Sequence, residues 1–223
     1  GGKIKYTEDI TFSSSSLLNK FSDIYNESQK SFINLMLNGR SFEQIKIEID
    51  NLKNLKVLVI GETIVDQYVF CEALGKSGKE PVLALRDISM EEYAGGAAAI
   101  ARHLSDFCGE ISFLSMIGEN KEHEGFILNN LPKNIKHYFI HKTGSPTIQK
   151  KRYLDYISKS KVLGIYSLDD SQLNDKDQNQ FHSLLDKLIP KHDLVIISDY
   201  GHGLISKNTA KKLSKKKPFI SLN

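Results

Sequence analysis

Three short, continuous apolar runs separated by helical patterns constrain the fold of this chain more than any other feature. They read KVLVIG from Lys56, ISFLSMIG from Ile111 and DLVIISDYG from Asp193. A run of this length without polar alternation is typical of a strand that is buried on both faces of a parallel sheet. Because residues 95–107 and 178–188 have helical patterns, we predict an α/β fold with a mostly parallel sheet flanked by helices.

Weaker patterns surround these runs and predict shorter elements. Residues 67–70 and 82–88 are predicted as short, partly exposed strands. Residues 147–156 and 161–167 alternate in polarity like the two strands of a hairpin. The remaining predicted elements are helices at residues 125–131 and 206–214 and strands at residues 136–141 and 219–222.

The beginning of the chain has helical rather than mixed patterns. A serine cluster precedes apolar residues that recur at helical spacing from Leu17. A second helical stretch covers residues 29–37, and a third begins at Ser41. We predict a helical linker segment over residues 1–54 and an α/β domain over residues 55–223.

Composition and charge exclude several classes of function. The net charge of +3 is too small to indicate nucleic-acid binding. No stretch approaches the roughly 18 apolar residues that cross a membrane. The two cysteines, Cys71 and Cys108, and the histidines lack the spacing of metal ligands. We therefore expect a cytoplasmic protein with reduced thiols, no metal site, and no nucleic-acid or membrane partner.

A binding site for a small molecule is predicted where the first apolar run ends. Glycines allow a ligand to approach the backbone closely, and the start of a helix offers free N–H groups and the positive end of its dipole. A carboxylate can accept two hydroxyl hydrogen bonds, so the combination suits a polyhydroxylated, anionic small molecule. In chain order the residues concerned are Gly61, Glu62, Asp66, Gly95 and Gly96.

A second carboxylate, Asp199, ends the third apolar run and precedes a loop that contains two glycines. Open α/β sheets bind ligands at the carboxyl ends of their strands. Asp199 is therefore predicted to contact a substrate or a water molecule bound to Mg²⁺.

Taken together, these motifs resemble those of the PfkB/ribokinase family of carbohydrate kinases. The matching stretches are GETIVDQY, KEPV, AGGAAAIA, IGEN and SDYGHG. Within the family they are most similar to the heptose-7-phosphate kinase branch, in the form that is fused to a cytidylyltransferase-type domain. The resemblance extends over residues 55–223 and, more weakly, over residues 1–20.

The resemblance implies a ribokinase-like fold with a small β lid through which the protein can form a homodimer. It implies phosphoryl transfer from ATP, with Mg²⁺, to a hydroxyl of a sugar or sugar phosphate. Asp66 would bind sugar hydroxyls, and Gly95 and Gly96 would line the sugar. Arg152 falls in the stretch that corresponds to the family pattern T-V-K-x-R and would bind a substrate phosphate, for which a guanidinium is well shaped.

The chain also departs from the family pattern. The motif G-A-G-D, which supplies the general base and the anion hole in the family, does not occur in the 223 residues. Ala99 stands where the heptose kinases have asparagine, and Asn120 replaces an acid. The sequence starts with two glycines and stops at the last predicted strand. We therefore expect a piece of a longer protein, truncated on the C-terminal side of its sheet, with no catalytic residue and no kinase turnover of its own.

Two other functions stay open. Ala99 and Asn120 favour a non-catalytic, pseudokinase-like module for binding or oligomerisation in a protein of nucleotide-sugar biosynthesis. Asp66, the glycine pair and Asp199 favour the kinase. An intact G-A-G-D motif elsewhere in the longer protein would indicate an active kinase. A G-A-G-D motif that has lost its key residues would indicate the non-catalytic module. A nucleotide-binding Rossmann domain is disfavoured because no G-x-G-x-x-G follows the first run.

Overall fold

The computed structural model of the protein describes residues 25–37, 39–78, 80–215 and 219–222. The chain divides into two compact units, Gly1–Glu48 and Ile49–Asn223. The helix predicted from Leu17 lies outside the described residues. The domain boundary predicted after residue 54 stays a prediction.

Two helices are described before the sheet, α1 and α2, at Glu27–Leu37 and Phe42–Asn51. Both begin at a capping box. Asn26 and Gln29 exchange side-chain and backbone hydrogen bonds of 2.9 Å at the start of α1. Ser41 and Gln44 repeat this exchange at the start of α2. The helices predicted here are confirmed, and none of the described helices is both long and apolar enough to cross a membrane.

Strands and helices alternate through the α/β domain. In chain order the elements are β1 Lys56–Lys76, β2 Leu83–Gly96, α3 Ala97–Leu104, β3 Glu110–Gly118, α4 Glu124–Asn130, β4 Ile135–Lys142, β5 Gln149–Asp155, β6 Lys161–Ser167, α5 Asp175–Leu188, β7 Leu194–Ser198, α6 Lys207–Leu213 and β8 Phe219–Leu222. Short 3-10 turns cover Leu52–Asn54 and Ile189–Lys191.

Five strands form a parallel sheet in the order β4-β3-β1-β7-β8. After the exposed Lys56, residues 57–60 of β1 are fully buried. Leu58 and Ile60 pack among residues of α5, whereas Val57 and Val59 pack among residues of α3. Because its side chains pack against helices on both faces, this strand lies at the centre of the core. Burying each such side chain stabilises the fold by about 1.5–3 kcal/mol. The predicted α/β fold with a mostly parallel sheet is confirmed.

The second half of β1 leaves the parallel sheet and belongs to a smaller sheet, which we call the lid. From Thr63 to Lys76 the strand pairs antiparallel with β2, and from Val65 to Cys71 it also pairs parallel with β5. Strand β6 pairs antiparallel with β5, so the lid has the order β2-β1-β5-β6. The predicted hairpin is confirmed as β5 and β6.

The prediction for the region around Asp66 is wrong in its details. Residues 67–70 are predicted as a separate short strand, but β1 is continuous through Asp66. The backbone stays paired on both sides there while the strand passes from one sheet to the other. The strand predicted at residues 82–88 likewise continues to Gly96, and α3 begins only at Ala97.

Candidate functional site

Asp66 and Arg152 form an ion pair on one face of the lid. Arg152 lies on β5 opposite Tyr68 of β1. Because successive side chains of a strand alternate between faces, Asp66, Tyr68 and Arg152 share one face. Arg152 Nη1 donates a hydrogen bond to Asp66 Oδ1. The two side chains remain 17% and 22% exposed, so a ligand can reach the pair.

Two tyrosine rings flank the guanidinium of Arg152. Its central carbon lies 5.4 Å from the ring centre of Tyr68 and 5.7 Å from that of Tyr166. Both distances are within the range of a cation–π interaction. Burial works against the charged form, but the hydrogen bond and the charge of Asp66 raise the pKa of Arg152 overall. The charged guanidinium of Arg152 is therefore held between two aromatic rings, an arrangement suited to binding an anionic group.

Gly95 and Gly96 lie against the part of β1 that carries Asp66. A Cβ atom at Gly95 would overlap Asp66 Oδ2, and one at Gly96 would overlap the carbonyl oxygen of Glu62. Gly96 also has φ +62° and ψ −139°, a conformation that residues with a side chain rarely adopt. Glycine is thus needed at both positions to bring the start of α3 close to the lid pair.

Asp199 is exposed at the carboxyl end of β7 and opens the loop of residues 199–204, which we call the edge loop. One of its oxygens accepts the N–H of Gly201 at 3.0 Å. Among the contacts of the described residues, none joins Asp199 to the lid pair. The predicted site residues therefore fall into two groups, Asp199 at the edge of the parallel sheet, and Asp66, Gly95, Gly96 and Arg152 at the lid.

Glu62, which the sequence predicts only as a member of the small-molecule site with no role of its own, connects the two groups. Its side chain is fully buried, and its oxygens accept the N–H groups of Tyr200 at 2.9 Å and Leu204 at 3.3 Å. The available signal was a carboxylate directly after the KVLVIG run, because a buried carboxylate needs hydrogen-bond partners. Its partner Tyr200 lies 138 residues further along the chain, so the pairing could not be predicted.

Lys142 is a second buried charged residue beside the edge loop. It is only 3% exposed, and its Nζ donates to the carbonyl oxygens of Asp169 and Ser171 at 2.6 Å and of His202 at 3.4 Å. Hydrogen bonds from Ser145 and Ser171 hold the pKa of the Asp169 carboxyl well below its usual range. These contacts tie the segment before α5 to the edge loop.

The other candidate positions are separate from this arrangement. Ala99 lies partly buried in the first turn of α3, and Asn120 is exposed, 3.5 Å from Glu122. Cys71 and Cys108 are both buried, and burial raises the pKa of each thiol. A raised pKa disfavours the thiolate, so neither cysteine has the environment of a reactive nucleophile.

Comparison with known proteins relates the chain to one group of relatives. No protein-family model matches it. It is similar to the bifunctional protein HldE of Campylobacter jejuni subsp. doylei, with 26% identity over 167 residues that cover 75% of this chain and 34% of the relative. HldE of Nitratiruptor is 26% identical over 153 residues, covering 68% and 32%. The chain thus spans about a third of the length of the curated relatives it matches.

Solved structures give the fold. A protein of Thermotoga maritima described as a possible 1-phosphofructokinase matches with a TM-score of 0.54 at 15% identity, covering 74% of this chain and 53% of that one. Phosphofructokinase-2 of Escherichia coli, solved with fructose-6-phosphate, matches with a TM-score of 0.51 at 15% identity, covering 75% and 54%. The resemblance inferred from the motifs is therefore confirmed: this chain is similar in sequence to the HldE proteins and has the ribokinase-like fold of sugar kinases.

Proposed function

We propose that this chain carries the sugar-binding part of an ATP-dependent kinase that phosphorylates a hydroxyl of a sugar or sugar phosphate. The observation that carries the proposal is the pair of Asp66 and Arg152, packed against Gly95 on an accessible face of the lid. A carboxylate beside a guanidinium offers acceptors for hydroxyl groups and donors for a phosphate.

Each group of the pair has a distinct part in substrate binding. Asp66 accepts hydrogen bonds from neighbouring hydroxyls of the sugar, and the absence of a side chain at Gly95 leaves room for the Asp66 carboxylate itself. Arg152, held between Tyr68 and Tyr166, binds a phosphate carried by the substrate. These two roles favour a phosphorylated sugar over a neutral one, because the Arg152 cation is already in position before the ligand binds.

The resemblance implies ATP and Mg²⁺ for the complete reaction, and ATP would supply the transferred phosphoryl group. In the described part of the chain Asp199 is an exposed carboxylate that fits a contact with a water molecule of Mg²⁺. No group of three or more potential metal ligands lies together among the described residues. These residues do not make a complete nucleotide site, and we assign them no step in phosphoryl transfer.

The setting of the kinase is also part of the proposal. We place the chain in a longer, cytoplasmic protein that includes a nucleotidyltransferase domain, since the HldE relatives are named as bifunctional proteins and the match covers about a third of their length. A homodimer through the lid is supported by apolar side chains exposed there, among them Met90, Leu163 and Ile165. We expect the 223-residue chain by itself to catalyse no phosphoryl transfer from ATP.

The alternative is a non-catalytic module that keeps the fold for binding or oligomerisation. The observation that favours it is Ala99 in the first turn of α3, where alanine offers no hydrogen-bonding group to a sugar. The lid pair is independent of that position and supports sugar binding under either proposal. Turnover by the longer protein separates the two.

Isothermal titration of the chain with heptose 7-phosphate, fructose 6-phosphate and unphosphorylated fructose tests the proposal. We expect at least one sugar phosphate to bind about tenfold more tightly than the neutral sugar. Equal affinities, or no binding of any sugar, would refute the sugar-phosphate site. ATP is then added with Mg²⁺, and ATP-dependent phosphorylation of any sugar by these residues would refute the expected lack of turnover.

A further inference from the structure

Glu62 lies at the point where β1 leaves the parallel sheet for the lid. The last parallel pair with β7 joins Gly61 to Ser198, and the antiparallel pairing with β2 begins at Thr63. Glu62 is therefore the last residue of β1 in the parallel sheet, where it still pairs with Met116 of β3. The backbone carbonyl oxygen of Glu62 lies against Gly96. It therefore also contacts the Gly95–Gly96 pair at the end of β2, which we call the glycine turn.

The carboxylate of Glu62 holds both ends of the edge loop. One oxygen accepts the N–H of Tyr200, the residue after Asp199, and the other accepts the N–H of Leu204, where the loop ends. The side chain is fully buried, and no basic side chain of the described residues forms an ion pair with it. A buried carboxylate is unfavourable without partners, so these two N–H groups are what compensate its burial.

The neighbouring residue makes this junction tight. A side chain at Gly61 would overlap the carbonyl oxygen of Ser198 and would lie 2.9 Å from the Cβ of Ala97. The end of β7 and the start of α3 therefore pack against the same two residues of β1. Any movement at Glu62 changes the spacing between the edge loop and the glycine turn.

We propose that Glu62 is a positioning residue that sets the distance between Asp199 and the Gly95–Gly96 turn of the sugar site. It acts through the backbone of Tyr200 and Leu204 and does not touch the ligand. The inference rests on the proposed function in one respect, namely that Asp199 and the glycine turn face one substrate.

The middle of the edge loop has separate anchors. His202 Nδ1 lies 2.7 Å from Asp170 Oδ1, and the His202 carbonyl accepts a hydrogen bond from Lys142. Loss of the Glu62 carboxylate would thus free the two ends of the loop while its centre stays attached. The expected consequence is a local change at Asp199 rather than unfolding of the domain.

The test compares E62Q with a matched control, D177N. Asp177 is also a buried carboxylate; it accepts the N–H of Thr143 at 2.8 Å, and none of its hydrogen bonds with described residues goes to the edge loop. Both variants exchange one carboxylate oxygen for an NH₂ group, which cannot accept a backbone N–H, and keep the other oxygen as an acceptor. Amide hydrogen exchange of Tyr200 and Leu204 is measured in each, together with the Kd of heptose 7-phosphate and fructose 6-phosphate at a temperature where all variants are folded.

We expect E62Q, but not D177N, to speed exchange at whichever of Tyr200 and Leu204 loses its acceptor and to weaken sugar-phosphate binding about tenfold. Unchanged exchange at both amides in E62Q overturns the positioning role. Faster exchange with an unchanged Kd overturns it as well, because Glu62 would then be structural only. If the unsubstituted chain binds neither sugar phosphate, the proposed function fails instead, and the exchange rates alone decide whether Glu62 fixes the loop.

Discussion

Strand β1 runs through two sheets, and its two parts are held in place by different means. In the parallel sheet residues 57–60 are fully buried and paired with a strand on each side. In the lid the same strand alternates between buried and partly exposed residues, and β6 is exposed along its whole length. The body of the domain is therefore fixed by its core, whereas the lid is fixed mainly by strand pairing.

A positively charged side chain also has a different environment in each of the two regions. The side chain of Lys142, in the body, is 4% exposed and donates to carbonyl groups of two segments. The side chain of Arg152, in the lid, is 17% exposed and pairs with one carboxylate. The first cation connects parts of the fold, and the second stays accessible to a ligand. A site at the boundary combines a rigid edge with a face that can respond to substrate.

The largest effect is expected from K142M, which tests the rigid side of the comparison. Methionine fills the space but leaves buried carbonyl oxygens without a donor, so we expect the free energy of unfolding to fall by about 3 kcal/mol. Urea denaturation measures the change. Lys161 is exposed on the lid, and K161M should change stability by less than about 0.5 kcal/mol. Equal losses in both variants would mean that the buried contacts of Lys142 do not stabilise the body.

A somewhat smaller loss is expected from G61A, at the junction of the two sheets. The added methyl group overlaps the Ser198 carbonyl oxygen and must displace β7, which we expect to destabilise the protein by about 2 kcal/mol. Gly125 in α4 has no atom within 4 Å of an added Cβ, so G125A is the matched control and should not destabilise. A G61A variant as stable as G125A would show that the junction is not tightly packed.

R152K tests the accessible side of the comparison. Lysine keeps the charge opposite Asp66 but loses the planar group between Tyr68 and Tyr166, so we expect a loss of about 1 kcal/mol or less in the free energy of unfolding. Urea denaturation again gives the value. A loss as large as that of K142M would make the lid as firmly held as the body, and the contrast between them would disappear.

The smallest effect concerns acid stability. The folded state lowers the pKa of Asp169, so this carboxyl contributes stability that is present above its unfolded pKa of about 3.9 and is lost as pH falls toward the folded value. Between pH 6 and pH 2.5 the stability advantage of the unsubstituted protein over D169N should therefore shrink. An advantage that stays constant over this range, measured by urea denaturation, would contradict the ionised state of Asp169.

The sequence allowed the parallel sheet to be predicted because its signal is local. Runs such as KVLVIG combine short length and continuous apolar character, which few other structures require. The continuous course of β1 through Asp66 was missed because the apolar run ends at Gly61, and pairing with β2 and β5 keeps the strand extended beyond it. Pairing between distant segments leaves little trace in either segment alone.

The candidate site shows the same limit. Asp66, Gly95 and Gly96 could be proposed from local motifs and a family resemblance, and they lie together in the structure. The role of Glu62 in holding the edge loop and that of Lys142 could not be predicted, because they depend on burial and on carbonyl or N–H groups far along the chain. Backbone carbonyl and N–H groups are common to nearly all residue types, so the sequence does not indicate which of them will bind a given side chain.

The central claim is that sugar phosphates bind at the lid pair, and titration of heptose 7-phosphate into the unsubstituted chain, D66N and D87N tests it most directly. Asp87 is an exposed carboxylate on β2, so D87N controls for the loss of one negative charge on the lid. We predict that D66N weakens binding at least about tenfold while D87N binds like the unsubstituted chain. Equal affinity in D66N and D87N would place the sugar elsewhere and contradict the account.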